Sequence, residues 1–108
     1  MTTRREKIEA LLRDDPDDVF LRYSLALELE SGGAWEAGLE ILESLARGTP
    51  PYVPAFQMAA QHLVARARLE EARGTLREGI EEARRQGLAH AAGEMAELLM
   101  SLGDQAAE

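Results

Sequence analysis

Residues 18–50 read DVFLRYSLALELESGGAWEAGLEILESLARGTP, and residues 52–84 read YVPAFQMAAQHLVARARLEEARGTLREGIEEAR. Laid over each other at a shift of 34 residues, the two stretches agree in side-chain size at most key positions. Leu25 and Ala26 fall on Ala59 and Ala60, Leu29 on Leu63, Trp35 on Leu69, Gly38 on Ala72 and Leu42 on Leu76. Pro16 and Pro50 stand at the same interval, while Leu45 on Gly79 sets large on small. Self-similarity at a fixed period of this length marks a repeat architecture.

Within each stretch the apolar residues recur at three- and four-residue spacing, which is the helical period. No segment alternates with a period of two, so no sheet is expected. Asp14-Asp15-Pro16-Asp17-Asp18, Ser31-Gly32-Gly33 and Gly48-Thr49-Pro50-Pro51 break the pattern, and Gly87 and Gly103 stand where helix ends favour glycine. The breaks predict helices over 3–14, 18–31, 35–47, 53–66, 70–86 and 89–102. Asp17 and Asp18 open one helix, Glu70 and Glu71 another, and Arg84 and Arg85 close the latter, as the helix dipole favours. Connections this short make neighbours antiparallel hairpins.

Small residues decide how the hairpins close. Two helices approach closely only where a side chain is Gly or Ala. Ala26 against Gly38, and Ala60 against Ala72, are the expected crossings of two successive hairpins. Leu29, Leu42, Leu63 and Leu76 fill the space around them. After a slip of two residues, Met95, Ala96 and Leu99 repeat Ala59, Ala60 and Leu63. At the front, Ile8, Leu11 and Leu12 repeat Leu42, Leu45 and Ala46. The chain therefore divides into a half unit 3–14, full units 18–50 and 53–86, and a half unit 89–103, all in one domain.

The period of 34, the Leu-then-small pair, the Ala or Gly of the second helix and the closing Pro resemble the tetratricopeptide repeat family. The resemblance implies an all-α fold, a right-handed α-α superhelix of about six helices in antiparallel hairpins. Two departures stand out: the aromatic expected early in the first helix is Arg22 in one unit and Phe56 in the next, and the closing Pro of the second unit is Arg84. In this family the first helices line a concave groove. Carried over by register, that groove holds Phe20, Tyr23, Leu27 and Glu30, then Gln57, Gln61 and Val64, then Gly93, Glu97 and Met100. Phe20, Tyr23 and Leu27 form a second apolar stripe beside Leu25 and Leu29, more than hairpin packing needs. Apolar groups at one end and amides in the middle suit an extended or helical peptide. Some relatives hold a partner's terminal carboxylate with Lys, Asn and Arg; here those places carry Tyr23, Leu27, Gln57, Gln61 and Gly93, so that use is excluded.

Composition bounds the rest. A chain of 108 residues, 45% hydrophobic and 30% charged, is long enough for one core. The net charge of −8 argues against nucleic acid and anionic membrane as partners. With no cysteine there is no disulfide frame and no thiolate chemistry. No run is long and apolar enough to cross a bilayer and no signal-type core is seen, so a cytoplasmic location is the default. His62 and His90 lie on different helices and read as surface or boundary residues, not metal ligands. The acid pairs Glu70-Glu71 and Glu81-Glu82 read as a solvated face. Gly32-Gly33 lacks the Lys-Ser/Thr of a phosphate loop, and Ser24, Ser31, Ser44 and Ser101 lack a nucleophile's setting. The expectation is a non-enzymatic interaction scaffold without cofactor or metal, presenting its groove to a protein or peptide partner. The rival is a structural homo-oligomer, a homo-dimer for instance, that buries the groove face or the last helix. Residues 89–102 favour that rival, because Leu98, Leu99, Met100 and Leu102 lie on more than one face.

Overall fold

The computed structural model describes residues 2–103 of the chain. It is all-helical, with α1 (Arg4–Asp14), α2 (Val19–Ser31), α3 (Trp35–Ala46), α4 (Val53–Ala65), α5 (Leu69–Arg85) and α6 (Ala89–Ser101), and no strand among the described residues. Each element lies within two residues of its expected bounds.

Local chemistry sets the helix starts and stops. Thr3 and Glu6 form a reciprocal capping box at α1, with Glu6 N–H donating to Thr3 Oγ1 at 3.1 Å and Thr3 N–H to Glu6 Oε1 at 2.8 Å. Asp18 caps α2, accepting from Leu21 N–H at 2.8 Å. The hairpin turns share one geometry. Ala34, Arg68 and Leu88 N–H donate to Leu29, Leu63 and Ala83 C=O, each five residues earlier, at 2.8, 2.9 and 2.8 Å. The residue before each donor is left-handed: Gly33 at φ 93°, Ala67 at 61° and Gly87 at 75°. This is the Schellman way of ending a helix, which satisfies its last carbonyls and reverses the chain. Ala67 was not foreseen as such a turn residue, since nothing about alanine signals a left-handed backbone.

The first hairpin closes where the small residues predict, and in the second both expected contact residues are buried. Ala26, Ala60 and Ala72 are fully buried, and a Cβ placed on Gly38 would sit 2.7 Å from the Ala26 carbonyl oxygen. Leu42, Leu63, Leu76 and Met95 are the largest fully enclosed side chains. The mismatch of Leu45 with Gly79 has a packing reason. A Cβ on Gly79 would lie 2.6 Å from both Phe56 Cβ and Met95 Sδ, so the aromatic ring takes volume that Leu45 fills in the preceding unit. There Arg22 stands in place of Phe56 and sends Nη2 out to Ser44 Oγ at 2.7 Å.

Successive helices pack on one another, and α4 also touches α6. The rings of Tyr23 and Tyr52 meet edge to face at 5.6 Å, near the starts of α2 and α4. Glu30 and Arg66 pair at 3.7 Å, near their ends. Helices α2 and α4 thus run side by side in one direction, and α2, α4 and α6 form one layer backed by α3 and α5. Extents of 50 × 30 × 18 Å and a radius of gyration of 14.6 Å exceed the ~13 Å of a round domain of this size, as an elongated stack requires.

Two burial details differ from the register. Leu11, in step with the buried Leu45, is 54% exposed, because α1 packs mainly on α2 whereas α3 is held between α2 and α4. His62 is buried inside the stack, not at the surface, while His90 is exposed.

Candidate functional site

The face built by α2, α4 and α6 carries every groove residue named from the sequence, and none of them is fully buried. Phe20 is 68% and Met100 76% exposed, at opposite ends of the layer. Gln61, Gly93 and Glu97 are exposed; Tyr23, Leu27, Glu30, Gln57 and Val64 are half-buried. Phe20 and Met100 are thus two separate exposed apolar side chains, one near each end of the layer.

Tyr23 has a second occupation. Its ring packs on Tyr52 and against the core, and burial, with Tyr52 beside it, pushes the phenol above its ordinary value. It remains a neutral hydroxyl at any physiological pH. Substituting it disturbs the joint between α2 and α4 as well as the surface, so Phe20 and Met100 are the cleaner probes of the groove.

Near the ends of α2 and α4, Glu30, Arg66 and Trp35 tie α2, α3 and α4 together. The Arg66 guanidinium stands 4.8 Å from the Trp35 ring centroid and the Arg68 guanidinium 5.5 Å from it. His62 lies beneath this cluster with Nδ1 unpartnered. Burial lowers its pKa; Glu30 opposes the shift and Arg66 adds to it.

The structure adds a cleft that the sequence reading missed. Between the starts of α4 and α6 lies a hollow of about 570 Å³, walled by Val53, Pro54, Leu88, Ala89 and Ala91, with Gln57, His90 and Glu94 at its polar side. A hollow of about 560 Å³, lined also by Val19, Arg22 and Tyr52, shares its Val53, Pro54 and Leu88 wall. A shallower one of about 270 Å³ adds Gly93 and Glu97. Gln57, Gly93 and Glu97 of the named set therefore meet around these hollows, whereas Phe20, Tyr23, Leu27, Glu30, Gln61, Val64 and Met100 line none of them. A signal for the cleft was present at Leu88, an apolar residue where a helix start favours Ser, Thr or Asp.

The opposite face is charge-rich. Glu43, Glu78, Glu81 and Glu82 share a polar hollow with Arg47 and Arg85, and Arg85 pairs with Glu81 at 3.0 Å and Glu82 at 2.6 Å. Among the described residues, no three His, Asp or Glu gather closely enough to hold a metal ion, and no helix is long and apolar enough to cross a membrane. Comparison with protein-family models, curated proteins and solved structures returned no match.

Proposed function

We propose that the chain is a tetratricopeptide-type interaction scaffold that holds a segment of another protein on the α2–α4–α6 face. In this reading it has no catalytic role and needs no cofactor. Its mechanism is display: hairpins locked at Ala26–Gly38 and Ala60–Ala72 keep three first helices in fixed relation, and their side chains meet the partner. The proposed setting is the cytoplasm.

The observation that carries the reading is the contrast between the two faces. One gathers Glu43, Glu78, Glu81 and Glu82 with Arg47 and Arg85 in a single hollow; the other holds the Glu30–Arg66 and His90–Glu94 pairs but also exposes Phe20 and Met100 and carries the open apolar cleft at Pro54 and Leu88.

The test uses wild type, Phe20→Asp, Met100→Asp and the opposite-face control Glu78→Ala as parallel baits in extract of the source cells. Partners retained by wild type and the control, and lost by both aspartate variants, support the reading. Equal retention by all four removes it. Sedimentation of the wild type alone addresses self-association, which the same exposed groups favour: a dimer that Phe20→Asp dissociates assigns this face to a second copy instead.

A further inference from the structure

We infer that the segment held on this face is a cationic, amphipathic stretch of polypeptide whose aliphatic side chains enter the cleft between α4 and α6 and whose Lys or Arg meet Glu94 and Glu97. This rests on the groove reading above and specifies its partner. The cleft wall is apolar, with Pro54 exposed and Leu88 42% exposed. Its volume of about 570 Å³ falls within the range of pockets that take bound side chains or small ligands.

The carboxylates at the cleft and at the smaller hollow beside it are Glu94 and Glu97, and His90 lines both hollows. Glu94 lines the cleft and Glu97 the hollow beside it, and neither is lined by Lys or Arg. Helix α6 carries no Lys or Arg. The cations of the neighbouring first helices are engaged elsewhere: Arg22 Nη2 donates to Ser44 Oγ at 2.7 Å, and Arg66 sits between Glu30 and Trp35. Glu94 meets His90 at 3.3 Å, and Glu97 has no cationic partner among the described residues. The start of α6 lacks a side-chain cap and contributes about half a positive charge. Two full carboxylates in the same helix outweigh it. An acidic segment laid here would gain the helix end and meet both carboxylates; a basic one gains both.

The experiment selects a random twelve-residue peptide library against the full chain, then measures the recovered peptides by fluorescence anisotropy at low and high salt. The variants are Glu94→Lys/Glu97→Lys and Leu88→Asp, with helicity checked by circular dichroism; all three positions are exposed at the surface. Enrichment of Lys or Arg together with Leu, Ile or Phe is expected. Charge reversal then weakens binding by about tenfold or more, from two attractions lost and two repulsions gained. Leu88→Asp weakens it at both salt concentrations. Enrichment of acidic or uncharged peptides, or indifference to the charge reversal, overturns this inference and leaves the groove reading standing. Failure to enrich any peptide removes both.

Discussion

At Gly38 the helix crossing leaves no room for a methyl group, since the added Cβ would meet backbone that has nowhere to go. Gly38→Ala is therefore expected to lower stability by about 1–3 kcal/mol, as is Ala60→Leu at the equivalent crossing, both read from thermal melts. An unchanged melt for both would mean the crossings lie elsewhere. Ala67 works in the other direction. Its left-handed backbone at φ 61° costs a non-glycine residue energy, so Ala67→Gly is expected to stabilise by roughly 0.5–1 kcal/mol in urea unfolding. His62 gives the molecule a pH response. Burial holds its folded pKa below the ordinary ~6.5. The unfolded chain therefore binds more protons, and stability that is complete above about pH 6.5 declines as pH falls through the folded value. Wild type should lose stability more steeply than His62→Leu between about pH 7 and pH 5. Parallel curves would show that His62 titrates alike in both states. The crossings were legible because size complementarity repeats in the chain. Ala67 and His62 were not: a left-handed alanine has no side-chain signature, and the burial of a lone histidine depends on what α2, α3 and α4 bring over it.

Among the elements, the helices were readable to within two residues because period, breaks and caps agree. Their enclosure was less so, since it depends on how many neighbours each helix has. Helix α1 fully buries only Ile8 and leaves Leu11 exposed, whereas α6 inserts Met95 and Ala92 and lets Met95 close over Gly79. Removing residues 1–15 is expected to lower the melting temperature modestly and leave a cooperative helical fold. Removing residues 88–108 takes Met95 away from Gly79 and bares the α6-facing side of α5, and should cost more, because in a stack each helix is stabilised by its neighbours. Circular dichroism melts of the two truncations check the order; equal losses would contradict it. The groove residues expected from the register lie on α2, α4 and α6 and none is fully buried, but only Gln57, Gly93 and Glu97 border a hollow. The cleft was not legible, because Pro54 and Leu88 meet only through the path of the α5–α6 turn. Tyr23, expected on the groove face, also belongs to the joint between α2 and α4 through its packing on Tyr52.

For the whole molecule, two unlike faces on one rigid stack are what the proposed role requires. The scaffold reading places binding on the layer of first helices and leaves the ion-paired layer to solvent. Backbone-amide NMR of the chain, titrated with a library-selected peptide, tests that placement most directly. Shifts are expected over Phe20–Glu30, Gln57–Val64 and Leu88–Met100, with the outer surfaces of α3 and α5 unmoved. Shifts centred on Glu43, Glu78 and Glu82, with Phe20, Leu88 and Met100 silent, would contradict it.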